Sequence, residues 1–160
     1  MSHAKLAGIS YGSGIPAPLT AITIAVDTAY IAAQQGQNIG QGIYMIDNEV
    51  SNGSTGEATL ELYTKTPVGS LIGWNTVPIN PNSGDTVVIT GFTVSQGNVF
   101  GSAGYPQQQP PLGSGPAGNY WIGQALNQGQ QTYQIQIKVT TGLLRPVSYF
   151  INWDPFITAQ

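Results

Sequence analysis

The feature that most constrains this chain is a strict alternation of apolar and polar residues near its C-terminus. Residues 131–140 and 147–153 each place an apolar side chain at every second position. A period of two puts those side chains on one face of a β-strand and the polar ones on the other. The pattern predicts paired strands with one face in a core and one face in water. The apolar positions are Tyr133, Ile135, Ile137 and Val139, then Val147, Tyr149, Ile151 and Trp153.

Shorter strand signals, separated by turn residues, recur along the rest of the chain. One short helix is predicted over residues 28–35, with Asp27 as its N-cap and Gly36 at its end. Many short strands at this spacing favour an all-β fold, an antiparallel β-sandwich of jelly-roll or Greek-key type with one short helix after the first strand. The further strands are predicted at residues 21–26, 42–46, 59–64, 70–74, 86–94 and 119–125.

The length of 160 residues suits one domain. Residues 1–18 are rich in Gly, Pro and Ser and predict a loose N-terminal arm, which leaves 19–160 as a single β-sandwich domain. Residues 97–118 form a long stretch of low complexity. Such a stretch is either a binding loop or an ordered crossover between the sheets.

Charge is scarce, because only 7% of the residues are charged, with 4 Lys plus Arg, 7 Asp plus Glu and a net charge of −3. Four bases cannot neutralise the phosphates of a nucleic acid or hold an anionic membrane, and no apolar run is long enough for membrane insertion. A surface of neutral amides and hydroxyls repels its own copies weakly, which favours a homo-oligomer or inclusions. The same surface also suits a merely soluble protein.

The N-terminal residues do not predict a signal peptide, because Pro16 and Pro18 interrupt the apolar run there. We therefore expect a cytoplasmic protein, stored in inclusions if it self-associates.

Motifs for catalysis are weak. The single histidine, His3, lies in the predicted arm, where a catalytic triad is improbable. Residues 8–12 match G-x-S-x-G but precede the first predicted strand, and residues 113–118 match G-x-G-x-x-G outside a strand-to-helix turn. A small hydrolase with two opposed carboxylates is the least favoured function. We predict no enzyme and no catalytic residue.

Aromatic residues give a better indication of a ligand. Five aromatic residues could stack on sugar rings, with Asn, Gln and Asp side chains giving hydrogen bonds: Trp74, Trp121, Trp153, Tyr105 and Tyr120. A tryptophan on a strand is more often part of a core, and this alternative applies to Trp74, Trp121 and Trp153. Tyr105, in the long loop, is expected to be the most exposed.

Acidic residues offer a second candidate site. Asp47 and Glu49 could supply oxygen ligands to calcium, joined by a distant acid such as Asp85. The alternative is that both acids solvate a turn, and we assign no metal or other cofactor.

The C-terminal segment 149–157 reads Y-F-I-N-W-D-P-F-I. It resembles the ending of the bacterial inclusion body protein family of the PixA/AidA type. Residues 25–31, 43–45, 72–74 and 120–121 resemble other strands of that family, and 53–60 resembles its G-x-x-G-E-L segment, with Ala58 where Leu is common. The resemblance implies a protein that accumulates in inclusions or is induced by quorum sensing in host-associated bacteria, without a defining enzymatic activity.

The W-D-P-F motif, Trp153 to Phe156, also has a structural interpretation. Trp153 would anchor the last strand in the core, and Pro155 would hold Asp154 in an extended or turn conformation. Asp154 would then accept hydrogen bonds from nearby backbone N–H groups.

Two functions follow from these patterns. The first is a non-enzymatic, self-associating inclusion body-type protein of a host-associated or quorum-regulated bacterial programme. The alternative is a lectin-like module that binds a glycan, aided by calcium.

Overall fold

The computed structural model of the protein describes residues 19–160, and the arm predicted at 1–18 lies outside the described residues. Two short 3₁₀ turns, Ile39–Gln41 and Val50–Asn52, join the regular elements. Those elements are, in chain order, β1 (Thr20–Val26), α1 (Thr28–Ala33), β2 (Ile43–Asp47), β3 (Tyr63–Thr66), β4 (Leu71–Pro78), β5 (Thr86–Gln96), β6 (Gln107–Gln108), β7 (Tyr120–Gln124), β8 (Gly129–Thr141), β9 (Val147–Trp153) and β10 (Phe156–Ala159).

The strands form two sheets, which confirms the predicted all-β sandwich. Sheet A has the strand order β2-β1-β4-β7-β6, and sheet B has the order β3-β10-β8-β5, with β9 also paired to β8. Most pairings are antiparallel, but β1 pairs with β4 and β3 pairs with β10 in parallel. Both sheets are therefore mixed. The chain between β1 and β4, and between β3 and β10, is long enough to cross over before the second strand of each pair runs parallel to the first.

Strand β8 carries most of sheet B. It pairs with β5 along one edge and with β9 and then β10 along the other. The register on that second edge is continuous across β9 and β10. Ile135 pairs with Trp153, and Thr132, three residues earlier in β8, pairs with Phe156, three residues after Trp153. Strands β9 and β10 are thus one line of chain, interrupted where Pro155 lacks an N–H group.

The predicted strand at 59–64 is wrong in its first four residues. Only the part from Tyr63 belongs to β3, and the preceding residues form turns beside the edge strand β2. There the Ala58 N–H donates to the Met45 carbonyl at 2.7 Å, and the Met45 N–H donates to the Thr59 carbonyl at 3.3 Å. Ala58 has a φ of 65°, a left-handed conformation that the apolar alternation of residues 60 and 62 does not reveal.

The helix is predicted correctly at its start. The Asp27 carboxylate accepts a hydrogen bond from the Tyr30 N–H at 3.0 Å, as an N-cap does. The helix ends at Ala33, two residues early, and the chain then turns through the left-handed residues Gln35 and Gly36. The buried Ile31 docks the helix on the core.

The long segment 97–118 is an ordered crossover, one of its two expected roles. It leaves β5 in sheet B and enters β7 in sheet A, and on the way β6 pairs with β7. Val99 and Phe100 are buried in the core between the sheets.

Aromatic rings fill one part of that core. Trp74 is fully buried, and its indole N–H donates to the Tyr133 hydroxyl at 3.3 Å. The rings of Phe92, Phe100 and Tyr133 lie 4.8–5.9 Å from the Trp74 ring between centroids. These offset contacts stabilise the packing beyond the burial of area.

Alanine substitutions at two glycines distinguish the free-energy cost of backbone strain from that of a steric clash. Gly97 and Gly69 have φ values of +95° and +93°, but a Cβ would lie 2.0 Å from the Gln130 carbonyl oxygen at Gly97 and meets nothing within 4 Å at Gly69. We expect Gly69→Ala to lose about 1 kcal/mol of unfolding free energy from strain alone. Gly97→Ala should lose about 1–3 kcal/mol more from overpacking. Urea unfolding followed by tryptophan fluorescence measures both, and equal losses would contradict the clash.

Candidate functional site

A cleft of about 500 Å³ opens between the β4–β5 connection and the second half of the 97–118 crossover. Its apolar walls include Pro78, Leu112 and Pro116, and its polar groups include Asp85 and Ser114. A volume of this size lies in the range of small-molecule sites.

Hydrogen bonds hold the two sides of the cleft in place. The Asn119 side chain accepts from the Leu112 N–H at 2.9 Å and donates to the Leu112 carbonyl at 3.2 Å, which closes the loop on one side. On the other side, Asp85 accepts from the Thr28 hydroxyl at 2.7 Å and from the Gly142 N–H at 3.3 Å. Amides, hydroxyls and one carboxylate line the cleft without a basic side chain, which suits a neutral ligand rich in hydroxyls.

Tyr105 and Trp121, two of the predicted sugar platforms, pack beside Phe92. The Tyr105 hydroxyl donates to the Phe92 carbonyl at 2.5 Å, and the Trp121 ring lies 5.4 Å from the Phe92 ring. Both side chains are half-buried against the core, and burial raises the pKa of Tyr105. Tyr105 is therefore less exposed than its position in the loop suggested.

Tyr120 points to the other side of sheet A from Trp121. It packs on Leu71 and Ile122, outside the main core, and burial raises its pKa. Successive residues of a strand face opposite ways, so Tyr120 and Trp121 cannot form one platform. None of the three aromatic residues lines the cleft, and their role in binding remains a prediction.

Asp47 and Glu49 lie at the far end of β2 in an acidic corner, defined by Asp47, Glu49 and Glu57. Glu49 is 6% exposed, and its carboxylate accepts from the Thr20 hydroxyl and, at 2.5 Å, from the Asn52 amide. The Thr66 hydroxyl lies 2.6 Å from that of Thr20. Glu49 is thus bonded to Thr20, whose hydroxyl in turn links β1 to β3, rather than solvating an exposed turn.

Asp47 is 7% exposed and uses one carboxylate oxygen, Oδ1, to accept from the Glu49 N–H at 2.8 Å. Its other oxygen, Oδ2, is buried and without a hydrogen-bond partner. The acid that the sequence analysis missed is Glu57, whose Oε1 accepts from the Asp47 N–H at 2.9 Å and whose Oε2 is likewise buried and unpartnered. Burial, and then Asp47 itself, raise the pKa of Glu57, against a lowering by the backbone hydrogen bond.

Glu57 is ten residues from Asp47, and no spacing rule joins them. Its only signal is its place in the G-x-x-G-E segment of the family resemblance. Asp85, the third acid considered for calcium, lies in the cleft instead. Within residues 19–160, no group of three or more His, Cys, Asp or Glu is placed to hold a metal ion. Calcium binding at Asp47 and Glu49 remains a prediction.

The W-D-P-F motif occupies the break between β9 and β10. Trp153 is buried, and its indole N–H donates to the Met45 sulfur at 3.1 Å, so it links the last strands of sheet B to sheet A. Asp154 accepts from the side-chain amide of Gln134 at 3.2 Å, where a backbone N–H was expected. The Pro155 carbonyl accepts from the Tyr133 N–H at 3.2 Å and continues the ladder across the break.

The β8–β9 connection, the first residue of β9 and the outer face of β9 carry exposed apolar side chains. This apolar hairpin consists of Leu143, Leu144, Val147 and Phe150, of which Leu144 is 97% and Phe150 71% exposed. Phe150 lies beside the polar residues Gln136 and Asn152 of the same face. An aromatic residue at a polar position of the alternation is the signal that could have located this surface.

Comparisons with known proteins place the chain in context. The sequence model of a family described as a domain of unknown function, DUF8788, matches residues 19–143. No curated protein sequence matches the chain. The crystal structure of the inclusion body protein PixA from Burkholderia cenocepacia J2315 has a TM-score of 0.69 at 17% identity, covering 94% of this chain and 100% of that one. At this identity the likeness shows a shared fold.

None of the helices among the described residues has both the length and the apolar character needed to cross a membrane.

Removal of the Thr20 hydroxyl tests whether the hydrogen bonds of the acidic corner stabilise the fold. Thr20→Val leaves a Glu49 oxygen and the Thr66 hydroxyl without their shared partner in a buried setting. We expect a loss of about 1–3 kcal/mol in the free energy of unfolding. The control, Thr90→Val on the exposed surface, should change it by less than about 0.5 kcal/mol. Chemical denaturation measures both, and similar values for the two variants would remove the structural role of Glu49.

Proposed function

This chain belongs to the family described as a domain of unknown function, DUF8788, and we propose that it is a non-enzymatic protein that associates with copies of itself through the apolar hairpin. The exposure of Leu144 and Phe150 is the observation that carries the proposal. Burying a leucine or phenylalanine side chain in a contact contributes about 1.5–3 kcal/mol. The exposed leucines of the β8–β9 connection and Phe150 on the outer face of β9 offer apolar surface that water disfavours.

The composition of the surface supports the same proposal. With a net charge of −3 on 160 residues, two copies repel each other weakly. Thr90, Gln136 and Asn152 near Phe150 are neutral and can donate or accept hydrogen bonds around an apolar contact, and Lys138, which pairs with Phe150 across the strands, adds one positive charge. An apolar centre with a polar rim is the usual anatomy of an interface between proteins.

We further propose that the assembled protein accumulates in cytoplasmic inclusions of a host-associated or quorum-regulated bacterial programme. Two observations support this. The chain shares its fold with a protein named as an inclusion body protein, PixA of Burkholderia cenocepacia. Its C-terminal W-D-P-F-I segment also resembles the ending of that type of protein.

A second candidate function is glycan binding, and the cleft is the observation that favours it. Its lining of amides, hydroxyls and the oriented Asp85 carboxylate matches the hydrogen-bonding needs of a neutral sugar, and Leu112 and Pro116 offer apolar surface. Calcium could assist such binding. Self-association would then add avidity, because linked sites bind a multivalent glycan together.

Charge placed on the apolar hairpin should weaken association. We expect Leu144→Lys and Phe150→Lys to raise the dissociation constant at least about tenfold, equivalent to about 1.4 kcal/mol. Sedimentation velocity over a range of protein concentrations measures it. The matched control is Val50→Lys, which adds the same charge at a 58% exposed valine near the opposite end of the sandwich. A wild-type protein that stays monomeric throughout, or an equal effect of Val50→Lys, would overturn the proposal.

Filling the cleft should abolish glycan binding if the second function holds. Ser114→Trp places an indole at the cleft, whereas the control Ser51→Trp places one at an exposed site outside its lining. A glycan array probed with and without chelator should show binding by wild type and Ser51→Trp but not by Ser114→Trp. Loss of binding with chelator would assign a role to calcium, and the absence of binding by the folded wild type would remove this function.

A further inference from the structure

Strand β9 forms an open edge of sheet B. Within residues 19–160 it pairs with β8 on one side, and no strand, bridge or loop backbone bonds to its other side. Its seven residues, Val147–Trp153, include no proline and no charged residue, and its register with β8 has no shift. Proline, charge and bulges are devices that keep edge strands from pairing with other chains. The edge of β9 has none of these protections.

The other sheet edges are each protected. Along β2, residues Ala58 and Thr59 hydrogen-bond to both backbone groups of Met45. Along β3, Tyr63 exchanges two backbone hydrogen bonds with Thr55. Strand β6 has only 2 residues, and the long strand β5 is interrupted by register shifts in its pairing with β8. Among the described strands, β9 is therefore the regular edge that is ready to accept a further strand.

The backbone groups of alternate β9 residues point away from β8. The Tyr133 N–H of β8 donates to the Pro155 carbonyl at 3.2 Å, whereas the Phe156 N–H points the other way and donates to the Leu62 carbonyl at 3.2 Å. Successive residues of a strand bond to opposite sides, and the register is continuous from β9 into β10. The N–H and C=O groups that face the open edge are therefore those of Ser148, Phe150 and Asn152.

We propose that two copies of the chain pair these edges in antiparallel direction about a two-fold axis at Phe150, which joins their B sheets into one. This geometry rests on the self-association proposed above and specifies its contact. Phe150 is the central residue of Val147–Trp153, so the axis pairs it with Phe150 of the second copy and pairs Ser148 with Asn152. Each opposed pair exchanges two backbone hydrogen bonds. Because the contact uses both edges, it closes at a dimer.

The side chains along this edge suit a second copy of the same strand. Across the axis the two Phe150 side chains lie on one face with their Cβ atoms about 5 Å apart, and an aromatic pair across two strands stabilises a sheet. The contact covers a ring that is 71% exposed in the single copy. Ser148 and Asn152, both exposed and neutral, can hydrogen-bond to each other across the axis.

The charges near the edge favour the same arrangement. Arg145 lies just before β9 and Asp154 just after it, and both are exposed. The axis brings the end that carries Arg145 beside the end that carries Asp154 of the second copy, so opposite charges meet at both ends of the contact. Lys138, opposite Phe150 on β8, lies three strand spacings from its counterpart, about 14 Å, and salt screens charges at that distance.

Hydrogen exchange over a range of protein concentrations tests the backbone pairing. In the monomer the amides of Ser148, Phe150 and Asn152 face solvent and should exchange freely. At concentrations where sedimentation velocity shows dimers, we expect their exchange to slow at least about tenfold, because each amide is then hydrogen-bonded.

The other outcomes separate this pairing from the self-association on which it rests. Dimers whose three amides stay unprotected would overturn the pairing and leave association through side chains intact. Protection already present in the monomer would also overturn it, because the edge would then be covered within one chain. A wild type that stays monomeric at every concentration would remove the self-association itself and the pairing with it.

A proline on the open edge provides a matched pair of variants. Ser148→Pro removes an N–H that faces the edge and leaves the bonds between β9 and β8 in place. The control Ser148→Ala keeps that N–H and removes only the hydroxyl, which lies 3.0 Å from the Thr140 hydroxyl. We expect Ser148→Pro to have a dissociation constant at least about tenfold above that of Ser148→Ala. Equal constants for the two folded variants would contradict the pairing.

Cysteines test the register, since the chain has none of its own. Opposed residues of a hydrogen-bonded antiparallel pair have Cα atoms about 5.5 Å apart, which is within the reach of a disulfide. A mixture of Ser148→Cys and Asn152→Cys chains should therefore form linked dimers under mild oxidation faster than either variant alone. Equal rates in the mixture and in the separate variants would rule out an axis at Phe150.

Discussion

The structure depends on the two-sided pairing of β8 and on the apolar face that this strand turns inward. Its thirteen residues pair with β5 on one edge and with the line of β9 and β10 on the other. Tyr133, Ile135 and Ile137 are buried against sheet A, where Trp74 bonds the Tyr133 hydroxyl. Because a slip of one residue would turn this entire face to water, the alternation fixes which face of β8 points toward sheet A.

The apolar hairpin and the acidic corner lie toward opposite ends of β8, whose thirteen residues span about 40 Å when extended. At its C-terminal end, the connection to β9 exposes the apolar hairpin. Near its N-terminal end, β10 and β3 bring Thr66 to the acidic corner.

Much of the fold could be predicted from local patterns, and the failures have identifiable causes. The limits of β9 and the N-cap at Asp27 follow from alternation and from capping chemistry. Strand β10 was missed because it is four residues long and follows a proline. The acidic corner was half predicted, since Asp47 and Glu49 are close in sequence, whereas Glu57 returns to them after a connection that includes the left-handed Gly53 and Gly56.

The sequence by itself determined the class of the fold, the burial of alternate positions, the shortage of charge and the weakness of any catalytic motif. These properties are local or compositional, so they can be read without knowing which strands are neighbours. The tertiary structure alone decided the parallel pairing of β1 with β4 and the meeting of Asp47 with Glu57. Each of these depends on contacts between residues distant in the chain, and the free energy of closing those loops leaves no periodic signal in the sequence.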